Sequence, residues 1–340
     1  MKKICLIVLS AYLSAACSEK PAIEEKPPIQ TGCAAASTGF VPINDLGVGT
    51  FTNAWGEKWK GGLYTDGSNY PPAFYKATGI QLANMVQGLD PNGYSDEVNG
   101  KIVWISIGMS NTTQETQQFI QLAKTYPNIN PKLTFVDGAV GGMTASIISS
   151  PGSSGYTTYW TTVATRLANS GVSANQVQVI WLKEANVAGS TPVRQYYDSL
   201  KVQINRIVNE LKTRFPNVKL CYISSRISGR YATTTLNPEP YAYYSGWAVK
   251  SVIEDKIDLD SKIATAAPMV KAPWLGWGVY LWSDGSTPQY TNPNVFWNCP
   301  GDFNPTDGTH PSVTGAQKVG ELLLTFFSSD STAKIWFLKK

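Results

Sequence analysis

Apolar residues along this chain follow two rhythms. At 102–107, 133–136, 177–182, 218–223 and 279–282 they form short, nearly unbroken runs rich in Val, Ile, Leu and aromatic residues. Runs of that length predict strands buried on both faces. Between them the spacing changes to three and four residues. Val193, Tyr197, Leu200, Ile204, Ile207, Leu211 and Phe215 mark one face of a long helix, which Pro216 ends. Tyr159, Val163 and Leu167 mark a second, and Val319, Leu322, Leu323 and Phe326 a last one near the C-terminus. Such strands separated by helices predict an α/β fold with a parallel sheet covered on both faces. Chemistry in such folds gathers at the carboxyl ends of the strands, so the search narrows to a few loops. Residues 36–340 show no repeat and no second linker, and about 300 residues fit one α/β domain.

The first 16 residues depart from both rhythms. Lys2 and Lys3 precede an apolar stretch at 4–13, too short to span a bilayer, and Ser14, Ala15 and Ala16 lead into Cys17. A cysteine directly after small residues resembles the lipobox of bacterial lipoproteins. That resemblance implies an acylated Cys17 as the mature first residue. The usual branched apolar residue three places before the cysteine is here Ser14, with Leu13 one step further away, so ordinary secretory cleavage stays open. Residues 18–30 are rich in Pro, Glu and Lys and cannot build a core. The expected organisation is a lipoprotein signal at 1–16, a disordered tether at 17–36 and the folded body at 37–340. The expected location is the bacterial cell envelope, at the outer membrane or cell surface, with secretion as the alternative.

Loss of Lys2 and Lys3 takes the formal charge from +4 to +2. With no basic block, nucleic acid is not an expected partner, and contact with a membrane is expected only through the anchor. Charged residues make up 15% of the chain and aromatics 11%, a balance that suits neutral or sugar-like substrates. Cys5 leaves with the signal. Of the remaining body cysteines, Cys221 lies in an apolar run and reads as a buried thiol, which leaves Cys33 and Cys299 as the expected disulfide of an exported protein. No CxxC or HxxxH spacing exists, so neither a zinc site nor a cofactor is expected.

His310 is the only histidine in the chain, and it stands in Asp307-Gly308-Thr309-His310-Pro311. Imidazole takes and gives a proton near neutrality, and a carboxylate at its Nδ1 would orient it. The same run also reads as a plain turn, because Asp-Gly is a turn signal and Pro311 disfavours helix before it. Three strand-end loops supply possible companions. After the first strand comes Gly108-Met109-Ser110-Asn111-Thr112, with Thr112 and Glu115 at capping-box spacing, so that a helix is expected to begin there. Ser110 would sit at a helix N-terminus, as a nucleophile if a base reaches it or as a simple cap. After the second strand, Gly138, Gly141 and Gly142 compete to aim an N–H at a developing oxyanion, against a reading as a tight turn. After the third, Lys183-Glu184-Ala185-Asn186 offers the Asn186 amide, in a place where asparagine is commonly a turn residue.

Taken in order, Ser110, Gly142, Asn186 and Asp307 with His310 resemble the blocks of the SGNH (GDSL-type) hydrolases over about residues 100–325. The Asp-x-x-His-Pro block matches best, and Val140-Gly141-Gly142-Met143-Thr144 favours Gly142 among the glycines. The usual Gly-Asp-Ser is here Gly108-Met109-Ser110, and the usual Gly-x-Asn-Asp is Lys183-Glu184-Ala185-Asn186 followed by Val187. The resemblance implies a three-layer α/β/α sandwich, flavodoxin-like, around a five-stranded, mainly parallel sheet. It also implies a Ser110–His310–Asp307 triad with an oxyanion hole from the Ser110 N–H, the Gly142 N–H and the Asn186 side chain. Ser106 and Ser146 are the reserve nucleophiles.

The implied activity is hydrolysis of carboxylic esters, with O-acetyl or similar groups on a polysaccharide as the leading substrate. Small or lipid esters are the alternative within enzymes. A noncatalytic glycan-binding lipoprotein is the alternative of another class. Two aromatic tracts bear on this, one with Trp55, Trp59, Tyr64, Tyr70 and Tyr75, the other running from Tyr241 to Trp297. They would either stack on sugar rings at a site rim or pack the core.

The N-terminal reading generates a test of its own. Mass spectrometry of the mature N-terminus is expected to find a lipid-modified Cys17, since two acyl chains anchor stably where one does not. An unmodified cysteine, with a Cys17→Ser variant that fractionates like the wild type, would mean simple secretion.

Overall fold

The computed structural model describes residues 32–262 and 272–339. In chain order its helices are α1 (Ile43–Leu46), α2 (Ala73–Asn84), α3 (Ser110–Thr125), α4 (Ala145–Ile148), α5 (Tyr156–Asn169), α6 (Val193–Arg214), α7 (Tyr241–Lys262), α8 (Val313–Ser329) and α9 (Lys334–Phe337). The strands β1 (Thr50–Thr52) and β2 (Lys58–Lys60) make a small antiparallel pair apart from the main sheet. That sheet holds β3 (Ile102–Gly108), β4 (Leu133–Asp137), β5 (Val177–Lys183), β6 (Leu220–Ile223) and β7 (Trp274–Trp277) in the order β4-β3-β5-β6-β7, every pair parallel. One face carries α2, α3, α8 and α9, and the other carries α4 to α7. The chain forms the expected three-layer α/β/α sandwich.

The apolar runs have a direct cause in this layering. All seven residues of β3 and all seven of β5 are buried, because helices cover both faces. The polar members are each matched. Gln178 exchanges two hydrogen bonds with the backbone of Gln87, and Lys183 pairs with Glu115. Strand order places the working edge. The chain steps from β3 to β4 on one side, then crosses to β5 on the other. The carboxyl ends of β3 and β5 therefore flank a topological switch point, where a crevice opens.

Four expectations need correction. The fifth strand is Trp274–Trp277, not 279–282. Residues 279–282 are buried but leave the ladder after Gly278 N–H bonds to Ile223. Their carbonyls are then taken by side chains, those of Tyr280 and Trp282 by Gln289 and that of Leu281 by Trp297. Burial made this run look like a strand. Second, α3 begins at Ser110 with no side-chain cap, and Thr112 and Glu115 form no capping box. Both reach sideways to Lys183 instead, Thr112 to its carbonyl and Glu115 to its ammonium. Third, the 22-residue α7 has no counterpart among the expected helices, although Ala248, Val249, Val252, Ile253 and Ile257 follow helical spacing and are buried.

Fourth, the folded body begins earlier than 37. The signal, Cys17 and most of the tether lie outside the described residues, but 32–36 are fixed to the body. Cys33 is disulfide-bonded to Cys299, as expected, with 5.3 Å between Cα atoms. Arg230 donates twice to the Ala35 carbonyl, and Ser37 and Thr38 donate to Asp284. Cys221 is a free, buried thiol, also as expected. Since 266 residues separate Cys33 from Cys299, the bond restricts nearly the whole unfolded chain. The Cys33→Ser/Cys299→Ser variant is expected to lose roughly 2–4 kcal/mol of stability, read as a lower urea midpoint with a raised m-value, since the unfolded chain is no longer cross-linked. An unchanged midpoint would mean the segment is held by its hydrogen bonds alone.

Candidate active site

Ser110 is the first residue of α3, two residues beyond the end of β3. Its own N–H therefore has no acceptor within the helix and points outward at the positive end of the helix dipole. The helix is fixed where it starts. Asn111 is buried and donates to the Thr309 carbonyl at 3.1 Å, while the Glu115 carboxylate grips Lys183 at 2.5 and 2.6 Å.

The long connection between β7 and α8 brings His310 back across the sheet edge. His310 Nε2 lies 2.7 Å from Ser110 Oγ, and its Nδ1 lies 2.6 Å from Asp307 Oδ2. An ionised carboxylate only accepts, so the proton sits on Nδ1 and Nε2 is free to accept from the serine. The other Asp307 oxygen takes the backbone N–H groups of Thr309 and His310 at 2.8 and 2.9 Å. Partial burial works against the charged form of Asp307. The N–H groups of His310 and Thr309 and the imidazole outweigh it and hold the carboxyl below its usual range. The turn needs Gly308, whose φ is +59° and whose missing Cβ would lie 1.9 Å from the Tyr231 carbonyl oxygen. The tight turn is what sets the Asp307 carboxylate against the ring.

The loop after β4 returns to Ser110 through a bond from Val140 N–H to the Gly108 carbonyl. Gly142, at φ +76°, lines the pocket beside Ser110, and among the described residues its N–H has no acceptor. Gly141 faces the Ser110 Cβ, and Gly138 sits back against the end of β3. The Asn186 side chain comes from the loop after β5. Its Oδ1 accepts from the Ser146 N–H at 3.0 Å and its Nδ2 donates to Gln203 Oε1 at 2.6 Å, which leaves one amide hydrogen. The reserve serines are elsewhere engaged. Ser106 is buried and bonds to Asp137, and the Ser146 hydroxyl bonds to Thr144.

Ser110, Gly142, Asn186 and His310 thus share one pocket of about 290 Å³, with Asp307 behind the imidazole. Met109, Val187 and Leu236 supply apolar wall, and Arg226 and Asn237 supply polar wall. Sequence reasoning missed Asn111, Gln203, Arg226 and Asn237. Each acts across a long chain separation, and none stands in a motif that local spacing would reveal. Most of the aromatic-tract residues pack the core, with Trp55 and Trp59 half-buried at its margin and Tyr70 exposed. Tyr64, Tyr75, Tyr243, Trp247, Trp282 and Trp297 are all buried, and Phe51 stacks on Trp247 at 5.6 Å. Among the described residues, no three His, Cys, Asp or Glu side chains converge to hold a metal ion, and no helix is long and apolar enough to cross a membrane.

No family model and no curated protein matches the sequence. Solved structures do align with it. One is a candidate acylhydrolase from Bacteroides fragilis NCTC 9343, at 13% identity and a TM-score of 0.39 over 72% of this chain and 92% of that one. Another is a GDSL-like lipase from Bacteroides thetaiotaomicron VPI-5482, at 12% identity and 0.35 over 74% and 95%. A third is the periplasmic domain of a lipopolysaccharide acetyltransferase from Salmonella ser. Paratyphi A, at 11% identity and 0.34 over 74% and 94%.

Because the chain has one imidazole, its ring protons are identified by NMR without assignment. A strongly downfield ring N–H signal is expected from the bond to Asp307. It should be lost or moved upfield in Asp307→Asn and in Gly308→Ala. Its absence from the wild type at neutral pH would mean that the pair does not form in solution.

Proposed function

We propose that this chain is a serine hydrolase of the SGNH type that cleaves carboxylic esters. The observation that carries the reading is the relay of 2.7 and 2.6 Å from Ser110 through His310 to Asp307, with Ser110 and His310 lining the pocket. In the proposed reaction His310 Nε2 takes the hydroxyl proton as Ser110 Oγ attacks the ester carbonyl. The carbonyl oxygen becomes an oxyanion, held by the N–H groups of Ser110 and Gly142 and the remaining Nδ2 hydrogen of Asn186. Each such donor is worth about 3 kcal/mol of barrier. The intermediate collapses, the bond to the alcohol breaks, and His310 returns the proton to the departing oxygen. Water then attacks the acyl-serine by the same steps, releasing the acid and restoring Ser110. Asp307, kept ionised, stabilises the imidazolium in both halves.

Pocket size guides the substrate reading. A volume of about 290 Å³ is at the small end for ligand sites. It suits a short acyl group better than a lipid tail, and removal of O-acetyl groups from a polysaccharide is the leading substrate reading. Export with a lipid anchor at Cys17 would set the site outside the inner membrane, where such polymers are met. The complete relay weighs against a noncatalytic glycan binder, which has no use for it.

A chromogenic acetate ester tests the reading. Ser110→Ala is expected to lower kcat at least about 10³-fold while thermal unfolding stays near that of the wild type. The wild-type kcat/KM should fall on the acid side, because a protonated imidazole cannot act as base. A profile that stays flat from about pH 5 to 8 would remove His310 from that role. Hydrolysis that survives Ser110→Ala would refute the assignment.

A further inference from the structure

Two tyrosines of the aromatic tracts stay out of the core. Tyr70 is 75% exposed and Tyr290 is 90% exposed. Both belong to one region of the surface, a groove of about 470 Å³ that opens past Gly278, where the chain leaves the edge strand β7. Tyr70 lines the groove, and Tyr290 stands between the lining residues Gln289 and Thr291. The groove shares no residue with the pocket of Ser110 and lies at the edge of the sheet, not at its switch point. It runs on into a second hollow of about 290 Å³, with Asn294, Leu322 and Thr325 common to both, so the two form one elongated surface.

The groove has a fixed frame and free walls. Asn44 donates to Gln289 Oε1 and to Thr291 Oγ1 at 2.7 and 2.5 Å, and Asn69 donates to the Asn44 carbonyl at 2.9 Å. The Asp45 carboxylate takes the N–H groups of Tyr290 and Thr291 at 2.7 and 2.8 Å, which pins the loop that carries them. Within that frame the side chains of Tyr70, Asn292, Asn294 and Thr325 bond to no other described residue. Groups that are already positioned cost little to order on a ligand. The chemistry of the lining selects the occupant. Among the described residues no charged side chain lines the groove, so neither a nucleic acid nor an acidic polymer finds a counter-charge there. In the second hollow Lys318 is already held by Asp302 at 2.8 Å, and Glu321 adds a negative charge. A peptide cannot add to β7 as a further strand, because Tyr75 bonds to both the N–H and the carbonyl of Leu275 and Tyr64 takes the N–H of Trp277. A neutral ligand with many hydroxyls fits. Amides and hydroxyls exchange hydrogen bonds with its hydroxyls, and an exposed ring covers the apolar face of a sugar.

We propose that this groove is a second, noncatalytic binding site for a neutral polysaccharide chain, which lies along it with Tyr70 stacked on a sugar ring while Asn292 and Asn294 bond to hydroxyls. Binding here needs no activity at Ser110.

Native electrophoresis through gels that hold a soluble polymer tests this, with the Ser110→Ala variant of the whole chain so that hydrolysis does not interfere. The polymers are deacetylated arabinoxylan, galactomannan and mixed-linkage β-glucan, with polygalacturonate as the anionic control. At least one neutral polymer is expected to retard the protein. Adding Tyr70→Ala and Asn294→Ala should raise the dissociation constant for that polymer at least about tenfold. Tyr70→Phe should leave it unchanged, since the ring and not its hydroxyl does the stacking. Both side chains are exposed, so thermal unfolding of the Tyr70→Ala/Asn294→Ala variant should match its parent. Should that variant fail to fold, Tyr70→Ala alone carries the decision. Retardation by a neutral polymer that survives these substitutions would overturn the proposal, because the chain would then bind elsewhere. Retardation by polygalacturonate alone, or by no polymer, would overturn it as well. In the wild-type background the same substitutions should leave hydrolysis of 4-nitrophenyl acetate unchanged. Loss of polymer binding thus leaves the esterase standing, and absence of Ser110-dependent hydrolysis leaves the groove standing.

Discussion

A fully buried ion pair holds together the sheet edge that carries the candidate site. Lys183, the last residue of β5, reaches across to Glu115 in the second turn of α3, and neither side chain has exposed surface. Burial pulls the ammonium down to about 8 while Glu115 works in the other direction. Removing one member of such a pair leaves a buried charge and costs about 3–5 kcal/mol. Its worth here is geometric. Ser110 begins the helix that Glu115 belongs to, and Asn186 lies three residues beyond Lys183. One contact therefore sets Ser110 and Asn186 at a fixed separation on either side of the switch point.

The remaining groups are tied to the same edge by bonds that cross the chain at long range. Asn111 and Arg226 both donate to the Thr309 carbonyl, which fixes the turn that bears His310. Val140 ties the glycine loop to the end of β3, and Gln203 holds the Asn186 amide from α6. The N-terminal segment joins the scheme through Cys299, eight residues before Asp307. Rigid elements thus present a small set of polar groups, and the aromatic core behind them keeps the elements in place. Packing of this kind resists the small displacements that catalytic geometry cannot tolerate.

How much of this was legible depended on the range of the signal. The strand runs and the helix ended by Pro216 were readable because burial on two faces, or on one stripe, repeats along the chain. The turn from Asp307 to His310 was readable because its chemistry is complete within four residues and His310 has no competitor. Run 279–282 misled, since side-chain donors can satisfy a buried extended segment as well as a neighbouring strand can. Thr112 and Glu115 misled for a related reason. Capping spacing is local, but the bonds those residues make are to another strand.

The sequence by itself determined the alternation of buried strands and amphipathic helices, the order of Ser110, Asp307 and His310 along the chain, and the two cysteines that pair. These are properties of periodicity, composition and short motifs, and they survive without knowledge of contacts. Only the tertiary structure decided which serine meets the imidazole, which glycine opens on the pocket and what holds the Asn186 amide. It alone brought Arg226 and Asn237 into the wall of the site. Ser110 and His310 are 200 residues apart in sequence and 2.7 Å apart in space. Hydrogen bonds and charge pairs at that range depend on atomic positions that the crossing of the chain at a parallel sheet edge sets, and no local pattern encodes them.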